Sequence, residues 1–569
     1  MKNVFKITSL LLICLFLASA FTACGGNVTI SIGTPPASLP LSSTSTPIDN
    51  TTLTDTKGTL TQDPAPSLPP PGTTEIVIPE TYKPQSVDDA IADKRFAGVT
   101  IRFITTGDDY IAVRSICIDK SLEDFDPNYS VNVAVDKRNQ MVEEALGVKI
   151  EIVNTMTQGG LSDYICLYFN SPMMNADIFS VHEYYDLMGA YGTYVTQMTN
   201  VTKDHFADFN YLASIGECYL DIDAPYWDKE AYDTISRYNQ AYWITGDLSQ
   251  KWLSTPSVSF INARIWEENS DKIKEKTGYD NIYELVDSGK WTIETVTEIL
   301  DIVSENGTAG LVAYNQAKWT EYQRNNPTAE ALFAGCNMSF TVENDDDTIP
   351  SFVKTSTSIK TFMNTVYPLY THSTNRIINY NSYLDGPFGE VKQIVGEFAK
   401  GDSFITFSEL GDGEYLKNNM KDDYYIVPMP KMNDNQSSYA TMTGKNTNHF
   451  GIPSACPNPG AATATLELLG KYSYSTVTPA YYGEFLKDGY KTENKDSASR
   501  MIDLIRDSLY CDFITIWNNK IKDYSPLDLI HEYTGTKSLA IQYTAKLKSW
   551  QNWLINLEEE YLINGPKRN

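Results

Sequence analysis

Histidine is scarce in this 569-residue chain: there are five, and none lies within five residues of another. No His-Glu-x-x-His, Gly-x-Ser-x-Gly or phosphate-loop pattern occurs, which argues against metallohydrolases, serine esterases and NTPases. The eight cysteines are scattered without a Cys-x-x-Cys pair, so zinc-ligand spacing is absent. The acidic run from Glu343 to Asp347 lacks the ligand order of an EF-hand calcium loop. Basic residues are outnumbered, 45 against 72 acidic. A surface of that sign repels phosphate backbones and argues against nucleic-acid binding. No apolar run reaches the roughly 20 residues that a membrane-spanning helix needs.

What is present begins at the N-terminus. Lys2 and Lys6 precede the apolar stretch Leu10 to Leu17, small residues follow, and Ala23 is succeeded by Cys24, Gly25 and Gly26. This is the charged, apolar, small-residue order of an export signal. Residues 1–23 are therefore expected to be a signal peptide. The sequence around Cys24 resembles the bacterial lipobox, which implies lipidation at Cys24 and anchoring on the outer face of the cell membrane. Without Lys2 and Lys6 the remainder carries 43 basic and 72 acidic residues, a formal charge of −29. Residues 24–86 are crowded with Ser, Thr and Pro, as in Pro69-Pro70-Pro71. So little apolar content does not offset chain entropy, and the segment reads as a disordered tether.

From Val87 onward the pattern changes. Val99, Ile101 and Phe103 alternate as in a strand, Ala134 to Leu146 carries helical spacing stopped by Gly147, and Val148, Ile150 and Ile152 alternate again. Asn132 is the expected cap of that helix. Further strands are expected at Asp177 to Val181, Ser257 to Asn262, Gly310 to Tyr314, Ser403 to Phe407 and Tyr424 onward, with Thr292 capping a helix. Strand–helix–strand alternation predicts an α/β fold with mostly parallel sheets flanked by helices. About 480 ordered residues exceed one core, so two lobes are expected.

Several stretches, in this order and spacing, resemble one group. They are Asn132 to Asn139 (Asn-Val-Ala-Val-Asp-Lys-Arg-Asn) with Val142 to Val148, Pro225 to Asp228 (Pro-Tyr-Trp-Asp), Thr245 to Ser249 (Thr-Gly-Asp-Leu-Ser), Gly289 to Thr292, Phe398 to Asp402, Tyr424 to Lys431, and Lys495 to Ser497 with Met501 to Ile505. The chain resembles the extracellular solute-binding proteins of family 1, which include maltose-binding protein, and within them the large lipoprotein branch of clostridia. The resemblance implies a two-lobed, type II periplasmic-binding-protein-like fold with hinge-crossing strands. It implies a first lobe of residues 87–258 plus 446–522 and a second of 259–445 plus 523–569. It also implies capture of a carbohydrate and delivery to the permease subunits of an ABC importer, with no cofactor, no catalysis and a monomeric chain.

Sugar recognition needs flat aromatic faces and fixed polar groups, and the chain has 37 Tyr and 9 Trp. Ligands in open α/β sheets sit at the carboxyl ends of strands. That rule selects Asp108 and Tyr110 after the first strand, Glu183, Tyr184 and Tyr185 after the strand at Ile178, and Glu409 after the strand at Ser403. Comparison with maltose-binding protein points to the same three places, although its turn matching Glu409-Leu410-Gly411 carries Trp. Trp243, Trp319 and Trp517 suit either ligand platforms or core packing. A ligand-sensing or adhesive surface protein is the alternative reading, and a secreted glycoside hydrolase a third, since it needs only two facing carboxylates.

Overall fold

The structure is a computed structural model and describes residues 83–106, 115–116, 129–156, 177–182, 206–305, 307–314, 327–344, 348–378, 383–386, 389–443, 447–488, 495–517, 521, 524–531 and 538–564. The expected signal peptide, Cys24 and the tether lie outside the described residues. No described helix is long and apolar enough to cross a membrane.

The first sheet is built from β1 (Thr100–Thr106), β2 (Lys149–Met156) and β3 (Ile178–His182). β1 lies between β2 and β3 and pairs with both in parallel. Helix α1 (Ser130–Leu146) bridges β1 and β2, and its Val142 and Leu146 are buried in one cluster with Ile101, Phe103 and Ile178. It starts at Ser130 with Tyr129 as cap, so Asn132 lies inside the first turn, buried, rather than capping it. Gly147 ends it at φ 70°, and a Cβ there would stand 3.0 Å from Ala97 Cα.

The second sheet centres on β4 (Ser257–Asn262), buried at every position. Around it lie β5 (Ala309–Tyr314), β6 (Arg376–Ile378), β7 (Ser403–Glu409) and β8 (Tyr424–Pro428), in the order β8-β4-β7-β5-β6. β7 and β8 flank β4 antiparallel, whereas β7-β5 and β5-β6 are parallel, so this sheet is mixed. Helix α2 (Ile293–Ser304) covers it, with the Thr292 hydroxyl accepting from the Thr295 N–H at 3.3 Å as expected. The short strand β9 (Thr441–Met442) follows, and β10 (Asn448–Gly451) then returns to the first sheet, antiparallel to β3.

Each sheet has its own apolar core. Ile101, Phe103, Val142, Ile178, Phe450 and Leu466 fill the first. Phe260, Ile299, Leu311, Ile405 and Ile426 fill the second, which continues across the junction to Ile104, Val135 and Trp243. After β10, α3 (Pro459–Ser475) packs on α1, α4 (Val477–Asp488) touches both halves, and α5 (Lys495–Asp507) packs on β8. The stretch 446–522, expected in the first half, therefore divides. Ala498, Met501, Ile502 and Ile505 of α5 bury themselves in the second core, and the return crossing runs through α4. Strand β11 (Leu509–Tyr510) pairs with β9. The closing helix α6 (Leu539–Asn564) lies on the second half through Trp550 against Phe352 and the Tyr543 phenol donating to Val353 O at 2.6 Å.

Cys218, Cys336 and Cys456 are buried free thiols and Cys511 is buried as well, and burial pushes the thiols of Cys218 and Cys456 up to about 12. Cys117 and Cys166 lie outside the described residues.

A Cβ at a left-handed position against a fixed backbone is strained. Gly147→Ala is expected to lower unfolding free energy by about 1 kcal/mol or more in urea titrations, with little change in the slope of the transition.

Candidate functional site

The register fixes where the strand exits point. Asn448 pairs with His182 at the end of β3, and Ile244 bridges Phe450 antiparallel, so the chain at Ile244 runs in the direction of β3. The Thr245 hydroxyl donates to Asn448 O at 2.7 Å. From there residues 246–256 lead into β4, whose first residue Ser257 faces Glu409, the last of β7. β1 is parallel to β3, and β5 is parallel to β7. Pro428 at the end of β8 pairs with Val258. Thus the carboxyl ends of β1, β3, β5, β7 and β8 all lie where the chain passes between the halves.

Three passages make this junction: residues 246–256, residues 429–443, and α4. Two buried carboxylates tie them. Asp228 accepts from the Trp252 indole at 2.6 Å, from Thr443 Oγ1 at 3.0 Å and from the Ala231 N–H at 2.9 Å. Its own N–H donates to Thr245 O at 2.9 Å. Burial raises its carboxyl, and these donors oppose the rise. Asp247 is likewise raised by burial and held in check by the Arg506 guanidinium at 2.9 Å and Thr478 Oγ1 at 2.7 Å. Arg506 lies 5.4 Å from the ring centroids of both Trp252 and Tyr482, a cation–π enclosure.

Asp512 adds a third buried acid beside the junction, accepting from Ser339 Oγ at 2.7 Å and the Thr515 N–H at 2.9 Å. Burial outweighs these bonds and pushes its carboxyl up to about 6.

The sequence-derived site residues separate into two groups. Asp108, Tyr110, Glu183, Tyr184, Tyr185 and Trp319 lie outside the described residues, in segments that follow the ends of β1, β3 and β5. Glu409 is half-buried at the end of β7, directly before Leu410, whose N–H donates to Pro256 O at 2.9 Å. Trp243 and Trp517 require a correction, because both rings are enclosed by protein. Trp243 is 0% exposed, its ring 4.4 Å from Phe206, and a Cβ on Gly451 would come within 2.6 Å of it. Trp517 is 1% exposed beside Phe513. Large aromatics supply most when buried, and here packing claims both.

The sequence reading missed Asp228, Asp247, Thr443, Thr478 and Arg506 as a group. One signal was available: an Asp directly before a helical stretch is a preferred N-cap, and Asp228 occupies that position for the helix Lys229–Ile235.

No family model matches the chain, and no curated relative matches it. Among solved structures it is similar to apo RafE from Streptococcus pneumoniae, at 12% identity and a TM-score of 0.46 over 81% of this chain and 98% of that one. It is also similar to the lacto-N-biose-bound GL-BP of an ABC transporter from Bifidobacterium longum, at 12% identity and a TM-score of 0.45 over 81% and 98%. A third is the cyclic alpha-maltosyl-1,6-maltose binding protein from Arthrobacter globiformis, at 10% and 0.48 over 81% and 99%.

Two outcomes follow from the buried groups. Trp243→Ala is expected to cost about 3–5 kcal/mol of stability, read as a fall in melting temperature. For Asp512, the folded carboxyl keeps its proton between about pH 4 and 6, where the unfolded chain, near 3.9, has released it. Its contribution is therefore complete below about pH 4 and lost as pH rises through about 6, at most about 3 kcal/mol. Asp512→Asn is expected to flatten the pH dependence of melting across that window. An unchanged slope would assign it to other carboxylates.

Proposed function

We propose that the chain is an exported lipoprotein that captures a mono- or oligosaccharide between its two halves and passes it to an ABC importer. The carrying observation is the convergence of five strand exits on three passages. Open α/β sheets present their ligand-contacting loops at that edge, and here two sheets present theirs to one junction. The motif order from Asn132 to Ile505 supports the same reading, and the lipobox-like sequence at Cys24 supports anchoring on the outer face of the cell membrane.

In this reading Asp108, Tyr110, Glu183, Tyr184 and Tyr185 reach the sugar from the first half, and Trp319 and Glu409 from the second. Carboxylates accept from hydroxyls, and aromatic faces cover the C–H surface. The ligand touches both halves only when they close, so it favours the closed state by its differential affinity. Micromolar binding corresponds to about 8 kcal/mol, ample to bias a hinge. The permease subunits then read the closed surface, and the chain itself makes and breaks no bond.

The test is small-angle scattering of the purified chain with a panel of mono- and oligosaccharides. A radius of gyration that shrinks with at least one sugar, and a Tyr184→Ala variant that binds it at least tenfold more weakly at unchanged melting temperature, are the expected results. Tight binding without any change in dimensions would sink the hinge, and turnover of a glycan would sink the transport reading.

A further inference from the structure

Two adjacent residues depart from ordinary backbone geometry. Tyr238 and Asn239 have φ of 56° and 54°, and among the other described non-glycine residues only Lys94 and Asn337 share that sign. Asn tolerates the left-handed region, but a bulky aromatic there is an outlier. The two are the central residues of one tight turn, which the Gln240 N–H closes on Arg237 O at 3.0 Å. Gly, Asn and Asp suit such positions, and Tyr does not. Strain of this kind persists only where the surroundings over-determine it.

Here the surroundings belong to both halves. On one side the Asn210 amide, in the helix Phe209–Ser214, donates to Asn239 O at 2.8 Å and to Asn239 Oδ1 at 2.6 Å. Phe209 and Leu212 of that helix are part of the first core. On the other side the Arg237 guanidinium forks onto both Glu343 oxygens, at 2.6 and 3.1 Å, and lies 5.3 Å from the Phe513 ring centroid. Tyr238 is buried in the second core, and its phenol donates to Glu558 of α6 at 2.6 Å. The turn precedes residues 246–256 and belongs to none of the three passages. Those passages are continuous chain and cannot part, whereas these contacts are non-covalent and can. The Glu343 fork and the Glu558 bond favour the strained turn, and the strain favours its release. Two opposed tendencies on one small element make it bistable.

We propose that the turn from Arg237 to Gln240 is a strained latch between the halves, and that Arg237 and Tyr238 are positioning residues for sugar capture. They set the relative position of the halves without touching the sugar. This inference rests on the strand-exit junction being the sugar site. A sugar that touches both halves favours one arrangement of them by its differential affinity. The latch favours one arrangement as well, so the two are coupled, and the coupling is reciprocal. Loosening the latch therefore moves the ligand-free population and the sugar affinity in concert, because the apparent affinity scales with the fraction of chains already in the binding arrangement.

The experiment is small-angle scattering and calorimetry of the full chain, with maltotriose and raffinose as probes, on Tyr238→Phe and Glu343→Gln. The first variant removes only the phenol hydroxyl, and the second keeps the side-chain shape but loses its charge. Both are expected to shift the ligand-free radius of gyration in the same direction, and to change the affinity of the tighter-binding probe at least threefold. A shift toward the dimensions of the sugar-bound unsubstituted chain goes with tighter binding, and a shift away from them with weaker binding. If neither probe binds, the sugar reading fails, and the ligand-free dimensions of the two variants still decide the latch. Unchanged ligand-free dimensions in both variants would overturn the proposal, even with a lower melting temperature, since the turn would then be structural only. An affinity change opposite in sign to the change in dimensions would overturn it too.

Discussion

The Asp228 carboxylate is the point on which the junction depends. One buried group caps a helix of the first half, receives the Trp252 indole from the first passage and receives the Thr443 hydroxyl from the second. An ionised carboxylate is an acceptor only, with about four lone-pair positions, and three donors converge on this one. Burial raises this carboxyl and the three donors oppose the rise, so removing one of them leaves a buried acceptor less satisfied. The passages are therefore linked to each other as well as to the halves they join. Asp247 extends the same arrangement to α4 and α5 through Thr478 and Arg506.

This linkage gives the junction a definite mechanical character. Backbone passages alone are soft, since each residue contributes two free dihedrals. Here the side chains of Trp252 and Arg506 brace them, and the Arg506 guanidinium sits against Trp252 and Tyr482 with Asp247 balancing its charge. Arginine suits that place because its planar, weakly hydrated guanidinium stacks and pairs at once. The three passages are thereby coupled to one another through the side chains of a few positions.

Much of the fold was legible in the sequence because the strands announce themselves by period. Ile101 and Phe103 alternate, Ser257 to Asn262 forms one buried strand, and Gly147 stops α1 where a left-handed residue is required. Boundaries that depend on tertiary packing were less legible. Asn132 has the chemistry of a cap but is drawn inside α1, and α5 looks like any amphipathic helix until β8 is seen beside it. The site is legible to a lesser degree. Strand-exit residues are selected by topology, which periodicity reveals. Whether a tryptophan is a platform or core depends on what lies opposite: Gly451 and Phe206 cover Trp243, and neither is near it in sequence. The Asp228 and Asp247 groups join residues more than 200 positions apart, a separation that no local pattern records.

The pairing of β10 with β3 has a consequence for how the chain is made. His182 waits for Asn448, so the outer edge of the first sheet stays open through the synthesis of the whole second half. Contacts of such long sequence separation form late, because loop closure must precede any gain from them. A nascent chain stalled before residue 448 would thus carry a complete second sheet beside an unfinished first one, its β3 edge bare to intermolecular pairing. Of the strands in the first sheet, the one that covers the β3 edge is thus the last to be made.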